Sequence, residues 1–292
     1  MRKLIFSGLC VFLSLLASAQ DMDSLMNSLT QDEVAYATAT FKSSRVVNGH
    51  SIEQMKRGQL DFRIHHRFGT LNSGAYGAWG LDQSSVMLAL DFGITDRLAV
   101  GINRSTYQKT ATGYLQYKLL QQSTGAKRMP ISMSIMTSAD IYGLKWTNTD
   151  RTNYFSSRMT YVSQLLIARK FNENLSLQLT PTYLHRNLVT EAIDFNDVVA
   201  MGIGGRYKLN KRVSINVEYF AAINYMGVGE PKHPHSLSVG VDIETGGHVF
   251  QLFVTNSMPM FERGFITETT DKWQNGGIHF GFNISRVFSL YR

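Results

Sequence analysis

The chain of 292 residues has a formal net charge of +7, 43% hydrophobic residues, five prolines and one cysteine. A single Cys excludes an intrachain disulfide and any thiolate metal cluster. Lys and Arg are spread over turns, loops and isolated strand positions, without a basic helix or a ribonucleoprotein-type motif, so nucleic acid is not an expected partner.

Met1–Ala19 has the layout of a secretory signal peptide. Arg2 and Lys3 form the charged start, Leu4–Leu16 is mostly apolar, and Ala17-Ser18-Ala19 supplies an A-x-A cleavage site. Cys10 lies inside it, away from the cut. Losing its two basic residues leaves the remainder at about +5. No later run reaches eighteen apolar residues, so no membrane-spanning helix is expected. Residues 20–58 read as a periplasmic N-terminal segment. Asp21–Leu29 is weakly helical, Glu33–Phe41 is extended, and Ser43–Gly58 is polar and turn-rich, placed to tuck into one mouth of a barrel.

From Gln59 the pattern is that of strands, whose successive side chains point to opposite faces. The first is Gln59–Phe68, with Leu60, Phe62, Ile64, His66 and Phe68 against Asp61, Arg63, His65 and Arg67. After the Gly69–Gln83 loop, Ser84–Asn103 is a hairpin. Val86, Leu88, Leu90, Phe92 and Ile94 share one parity; Met87, Ala89, Asp91 and Gly93 share the other. Thr95-Asp96-Arg97 turns the chain, and Leu98, Val100 and Ile102 continue the apolar face. Gly113–Leu120 and Pro130–Ala139 are the fourth and fifth strands. The Asp140–Arg158 loop precedes Met159–Lys170 and Leu175–Tyr183. Pro181 cannot donate to a ladder, which predicts a bulge or strand end there. Asp197–Lys208, Val213–Tyr225, Leu237–Ile243, His248–Thr255 and Gly276–Leu290 complete the set, with a long loop at Asn256–Asn275.

This makes about twelve strands, with tight turns alternating with longer loops. Alternation alone does not say which face is inside. Four features point to lipid outside: a leader without disulfides, strands of about 9–11 residues, the short-turn, long-loop rhythm, and Gly, Ala, Ser and Thr on the non-apolar face. Tyr161, Tyr183, Tyr207, Tyr219, Tyr225 and Phe68 fall near strand ends, where aromatic girdles sit. The expected fold is all-β: a closed antiparallel up-and-down transmembrane β-barrel spanning residues 59–292, in the cell outer membrane. A secreted β-sandwich or lipocalin-like barrel is the alternative.

Phe41–Leu60, Arg63–Gly69 (R-I-H-H-R-F-G), Gly80-Leu81-Asp82, Gly93–Gly101 and Gly113–Leu120 resemble an uncharacterised β-barrel family of Bacteroidota known by a domain-of-unknown-function label. The resemblance covers most of the chain after the leader and is strongest before about residue 130. It implies an outer-membrane barrel and carries no assigned reaction, so no catalytic residue transfers.

The candidate lumen charges are Asp61, Arg63, His65, Arg67, Asp91, Lys118, Arg206, Glu218, Asp242 and His279. Buried charges need partners, and both signs are present, so a paired network filling the lumen is the plainest reading. A polar lining that selects a small solute is the functional one. Asp91 is expected to pair with Arg63 or Arg67. His65 and His279 share the inward parity on strands that meet on closure, but a metal needs a third ligand and none is evident. Glu230, His233 and His235 have crude ligand spacing on what reads as a solvated loop. No G-x-S-x-G, phosphate loop, dinucleotide fingerprint or EF-hand occurs. No cofactor and no metal are therefore expected. The expected partners are outer-membrane lipid and a small solute. The expected role is a narrow channel or structural barrel. A lipid-modifying enzyme and a loop-based binding or scaffold barrel remain open.

Overall fold

A computed structural model describes residues 33–150, 152–189, 194–225 and 233–290. The leader at Met1–Ala19 and the loop residue Glu230 lie outside the described residues. Twelve antiparallel strands close into a barrel. They are β1 (Gln59–Thr70), β2 (Ser84–Gly93), β3 (Leu98–Ser105), β4 (Ala111–Leu120), β5 (Ser132–Ile141), β6 (Met159–Lys170), β7 (Leu175–Arg186), β8 (Asp197–Lys208), β9 (Val213–Ala222), β10 (Ser236–Thr245), β11 (His248–Thr255) and β12 (His279–Ser289). Each pairs with its neighbours in sequence, and β12 returns to β1 through pairs such as Ile284↔Ile64. Closure leaves no strand edge in the ring, which lipid requires.

The parity has a definite sense. On β2, Leu88 is 48% exposed while its neighbour Met87 is fully buried. The apolar row therefore faces outward, and the row of Ser, Thr, Asn, Gln and charged residues faces the lumen. Small inward residues make room for large ones. A Cβ on Gly101 would lie 2.1 Å from the Tyr114 ring, and one on Gly202 would lie 2.3 Å from the Phe220 ring. The interior is consequently packed. One apolar cluster joins Val162, Leu184, Val198, Phe220, Phe265 and Ile266. A second joins Phe41, Val46, Ile52, Tyr114, Met136 and Leu166.

Several strand limits differ from the periodicity. Leu175–Arg186 continues past Pro181 without a register shift on either side. The β6–β7 ladder lapses between Gln164↔Thr182 and Ile167↔Leu179 and resumes in the same register. The missing N–H thus costs local pairing and no extra residue. The bulges fall instead between Lys118 and Leu120 on β4 and between His279 and Gly281 on β12. β9 stops at Ala222, and Ile223–Tyr225 form a 3-10 turn. β5 extends through Asp140, which the sequence pattern had put in a loop.

The connections are unequal at the two ends. Tight turns join β2 to β3, β6 to β7, β8 to β9 and β10 to β11. The expected alternation fails after β4, where residues 121–131 form a longer connection at the same end because Ser123–Gly125 pairs with Val34–Tyr36; the other loops lie at the opposite end. The N-terminal segment enters at the short-turn end. There Val34–Tyr36 pairs with Ser123–Gly125 in the β4–β5 connection, and Arg57 bridges Gly93. From the long-loop end, the β11–β12 loop folds inward and carries a short helix, α1 (Glu262–Thr267), every residue of which is buried.

Candidate functional site: a lumen sealed from both ends

The polar turn-rich stretch ahead of β1 becomes the lower half of the seal. Thr40–Ile52 is almost wholly buried inside the barrel. Within it, Ser44–Ser51 folds back on itself, with Val46 N donating to Gly49 O at 3.0 Å and Ser51 N to Ser44 O at 2.9 Å. At its tip, the backbone N–H groups of Val47, Asn48 and Gly49 point one way. All three donate to the Glu218 carboxylate on β9, at 3.1, 3.0 and 2.9 Å. Successive amides converging on one anion form a nest, and a charged acceptor makes each bond stronger than a neutral one.

The rest of the segment is held by side chains from around the wall. Gln178 accepts from Ile52 N and donates to His50 O, both at 2.8 Å. Gln116 donates to Ser51 O at 3.0 Å, Gln251 to Val46 O at 3.1 Å, and Asn283 to Val47 O at 3.1 Å. Lys42 pairs with Glu244 at the short-turn mouth. These contacts satisfy the backbone polar groups that an irregular segment brings into a lumen.

The upper half is more apolar. Phe265 of α1 packs on Phe220 with ring centroids 4.9 Å apart, and Met260 and Phe261 pack with Met87. Arg263 donates to Gln108 Oε1 at 2.9 Å and to Thr110 Oγ1 at 3.2 Å. The halves meet at an ion pair: Arg45 Nη1 lies 3.1 Å from Glu262 Oε1, with His50 Nε2 3.6 Å from the same oxygen. Burial, then the neighbouring Arg45 guanidinium, holds the His50 imidazole well below its ordinary range.

Each residue singled out from the sequence has a definite place. Asp61 pairs with Arg63 at 2.6 Å. Arg63 also donates to Ser44 Oγ at 2.9 Å, and that hydroxyl donates to Asp91 at 3.1 Å. Asp91 is thus linked to Arg63 through a residue of the stopper and not by direct pairing. The register explains this, because Asp91 stands opposite Asp61 while Arg63 stands opposite Ala89. Arg67 lies over the Phe253 ring at 4.0 Å and donates to Asn283 Oδ1 at 3.3 Å and to Asn48 Oδ1. His65 bonds Asn283 at 3.0 Å.

His65 and His279 do not meet. The ladder sets His65 against Asn283 and His279 against Thr70. His279 instead reaches Phe68 O at 2.8 Å and Asp271 at 3.2 Å. Arg206 donates to the carbonyls of Ala39 and Thr40 at 2.6 and 3.1 Å. Asp242 accepts from Gln251 at 3.0 Å. Lys118 is half-buried at the short-turn rim, beside the β4 bulge. Among the described residues, no group of three or more His, Cys, Asp or Glu is placed to hold a metal ion.

The pattern missed Asp140, Arg45, His50, Glu262 and Arg263. Asp140 shares the inward parity of Ser132, Ser134 and Ser138, so extending β5 by one residue would have found it; it accepts from Thr112 at 2.7 Å. The other four lie in segments without period, and no local signal marks them.

Fold and site together define a membrane-type β-barrel with a filled, internally hydrogen-bonded lumen. The chain belongs to the family described as membrane bound beta barrel domain (DUF5777), whose model matches residues 41–288. That span begins within the stopper, so the lumen segment is part of the family's domain. No curated protein matches the chain. Among solved structures, the NanC porin is similar at 8% identity and a TM-score of 0.47, covering 78% of this chain and 98% of its own. The KdgM porin is similar at 10% identity and a TM-score of 0.46, covering 79% and 99%. Outer membrane phospholipase A from Escherichia coli is similar at 12% identity and a TM-score of 0.45, covering 87% and 100%.

Proposed function

We propose that the protein is an outer-membrane β-barrel, secreted through its leader and of Bacteroidota type, that forms a narrow solute path closed at rest by its own N-terminal segment. The observation that carries this reading is the grip of Glu218 on three stopper amides. The stopper's backbone is held to the wall by hydrogen bonds with Glu218, Gln178, Gln116 and Arg206, while Phe41, Val46 and Ile52 pack on Tyr114, Met136 and Leu166. Water can replace such hydrogen bonds at a net cost of about 1 kcal/mol for each neutral one and about 1.5–3 kcal/mol for each one to a charged group. A segment seated this way can leave the lumen without dismantling the barrel ladder. In this reading Arg63, Arg67, Asp91 and Arg206 hold the stopper in the closed state, and with Asp61 and Asp242 they line the path once it leaves. The solute is small and polar.

The test is single-channel recording in planar bilayers. Wild-type protein is expected to be nearly silent, and Glu218→Ala to show discrete openings while keeping heat-modifiable migration on gels. A folded Glu218→Ala barrel that stays silent would make the lumen a permanent core and the protein a structural barrel.

A second reading has its own observation. At the long-loop end Tyr76 and Trp79 of the β1–β2 loop and Tyr154 and Phe155 of the β5–β6 loop are all highly exposed. Exposed aromatics on loops suit a binding or scaffold barrel that holds a partner at its outer surface.

A further inference from the structure

Charge at the short-turn end of the barrel is one-sided. Arg97 ends the β2–β3 turn, Lys127 and Arg128 lie in the β4–β5 connection, and Arg212 ends the β8–β9 turn; all four are exposed. Of the carboxylates at this rim, Glu33 lies exposed beside Ala126, and three others have a partner. Glu173 is held by Lys170 at 3.2 Å, Glu244 is held by Lys42, and Asp96 accepts from Arg57 N at 3.2 Å.

Two further arginines stand on the outward face at the same level. Arg169 is next to the end of β6, with its guanidinium over the Phe171 ring at 5.1 Å. Arg286 is near the end of β12, over the Phe288 ring at 5.0 Å. The two strands lie on opposite sides of the closed ring. Across the ladders Arg169 faces Leu177, and Arg286 faces His248 and Phe62, so no carboxylate stands beside either in register. Phe171 and Phe288 are exposed on the lipid-facing side.

A guanidinium laid on a ring at a barrel rim keeps its outer N–H groups free and planar. That is the geometry that binds phosphate oxygens in pairs. The aliphatic stem lies along the apolar face while the head stays at headgroup level. We infer that the short-turn rim is a binding surface for anionic phospholipid headgroups, with Arg169 and Arg286 as two opposed phosphate anchors. The inference rests on the membrane-spanning reading of the barrel and adds a lipid class and a leaflet to it. Charge complementarity identifies the occupant, since exposed cations outnumber the carboxylates at this rim and attract anions from the leaflet they face.

The experiment reconstitutes the full-length barrel in nanodiscs of equal phosphatidylcholine and phosphatidylglycerol, then counts retained lipids by native mass spectrometry. Wild-type protein is expected to retain phosphatidylglycerol in preference. Arg169→Gln and Arg286→Gln should each cut that preference about fivefold, as expected for one cation at a lipid surface. Lys145→Gln, in the β5–β6 loop at the other end, should leave it unchanged, and Arg169→Lys with Arg286→Lys should keep much of it. Where the double Gln variant fails to fold, wild-type protein in 0.5 M salt serves, and the preference must collapse there. A wild-type barrel without preference, or a double variant that keeps it, overturns the inference. So does a rim that captures acidic peptidoglycan fragments but not anionic lipid. Failure to insert into any nanodisc would instead refute the membrane reading beneath it.

Discussion

Arg45 and Glu262 stand 217 residues apart in the chain and 3.1 Å apart in the lumen, each about 1% exposed. One comes from the segment that enters at the short-turn end and the other from the loop that folds in at the long-loop end. The pair joins the two halves of the seal. Because both charges are out of water, losing one partner strands the other. Arg45→Met or Glu262→Leu alone is expected to destabilise the barrel by about 3–5 kcal/mol, and the double replacement to recover most of that loss. Urea unfolding in detergent, followed by heat-modifiable gel mobility, measures all three. A double variant no better than the singles would show that the pair is not coupled.

Glu218→Gln keeps the shape but removes the charge that three amides share. Charge-assisted bonds are worth roughly twice neutral ones, so the tip should loosen by about 1–3 kcal/mol with little change in the strands. Hydrogen exchange at Val47, Asn48 and Gly49 is the readout. Unchanged protection there would mean that the nest does not hold the stopper.

Gly202 has no space for a side chain, since its Cβ would meet the Phe220 ring at 2.3 Å. Gly202→Ala should cost about 1–3 kcal/mol through overpacking. Combining it with Phe220→Leu should cost less than the sum of the two single changes, because the smaller side chain vacates the space. Additive losses would place the clash elsewhere.

His50 gives the seal a pH dependence of known sign. Burial and Arg45 depress its proton affinity in the sealed state, while a released stopper would titrate near its ordinary 6.5. Above that value both states carry the neutral ring. As pH falls below it, only the released state gains the proton, so sealing weakens by at most about 1.4 kcal/mol per pH unit. Glu262 is the carboxylate beside the ring, and Arg63 and His65 add to the depression set by burial and Arg45. Protease cleavage within residues 40–53 should rise on acidification more steeply in wild-type protein than in His50→Gln. Parallel curves would remove His50 from the account.

Leu88 tests the direction of the barrel faces. It is 48% exposed on the outward row of β2. Leu88→Arg would put a second cation on the outward face beside Arg104, its ladder partner on β3, at a cost of up to about 2–4 kcal/mol, and should impair insertion into vesicles. Leu88→Ala should insert normally. Equal insertion of the arginine variant would contradict a lipid-facing position.

Much of the wall was legible because a period of two is a local property. Leu88, Leu90 and Phe92 against Met87, Ala89 and Asp91 state the two faces in a few residues, and turn chemistry marks where each run stops. The strand count, the hairpin order and the shared parity of Asp61, Arg63, His65 and Arg67 follow from that alone; that this parity points inward took the leader, the strand lengths, the loop rhythm and the small residues on the same face. Parity names which residues share a face, but not which neighbours they meet. Register decides that, and it set Asp61 opposite Asp91 and kept His279 away from His65. The sequence placed a polar N-terminal segment at one mouth of the barrel, but not how deep it runs, which wall residues grip it, or that the 256–271 loop folds in to meet it. Residues 40–53 and 256–271 have no period, and their burial depends on a cavity that exists only after β12 closes on β1. The sequence by itself determined a barrel with an apolar outside. Only the tertiary structure decided that its inside is closed, because Glu218, Arg45 and Glu262 find their partners across long loops that nothing local encodes.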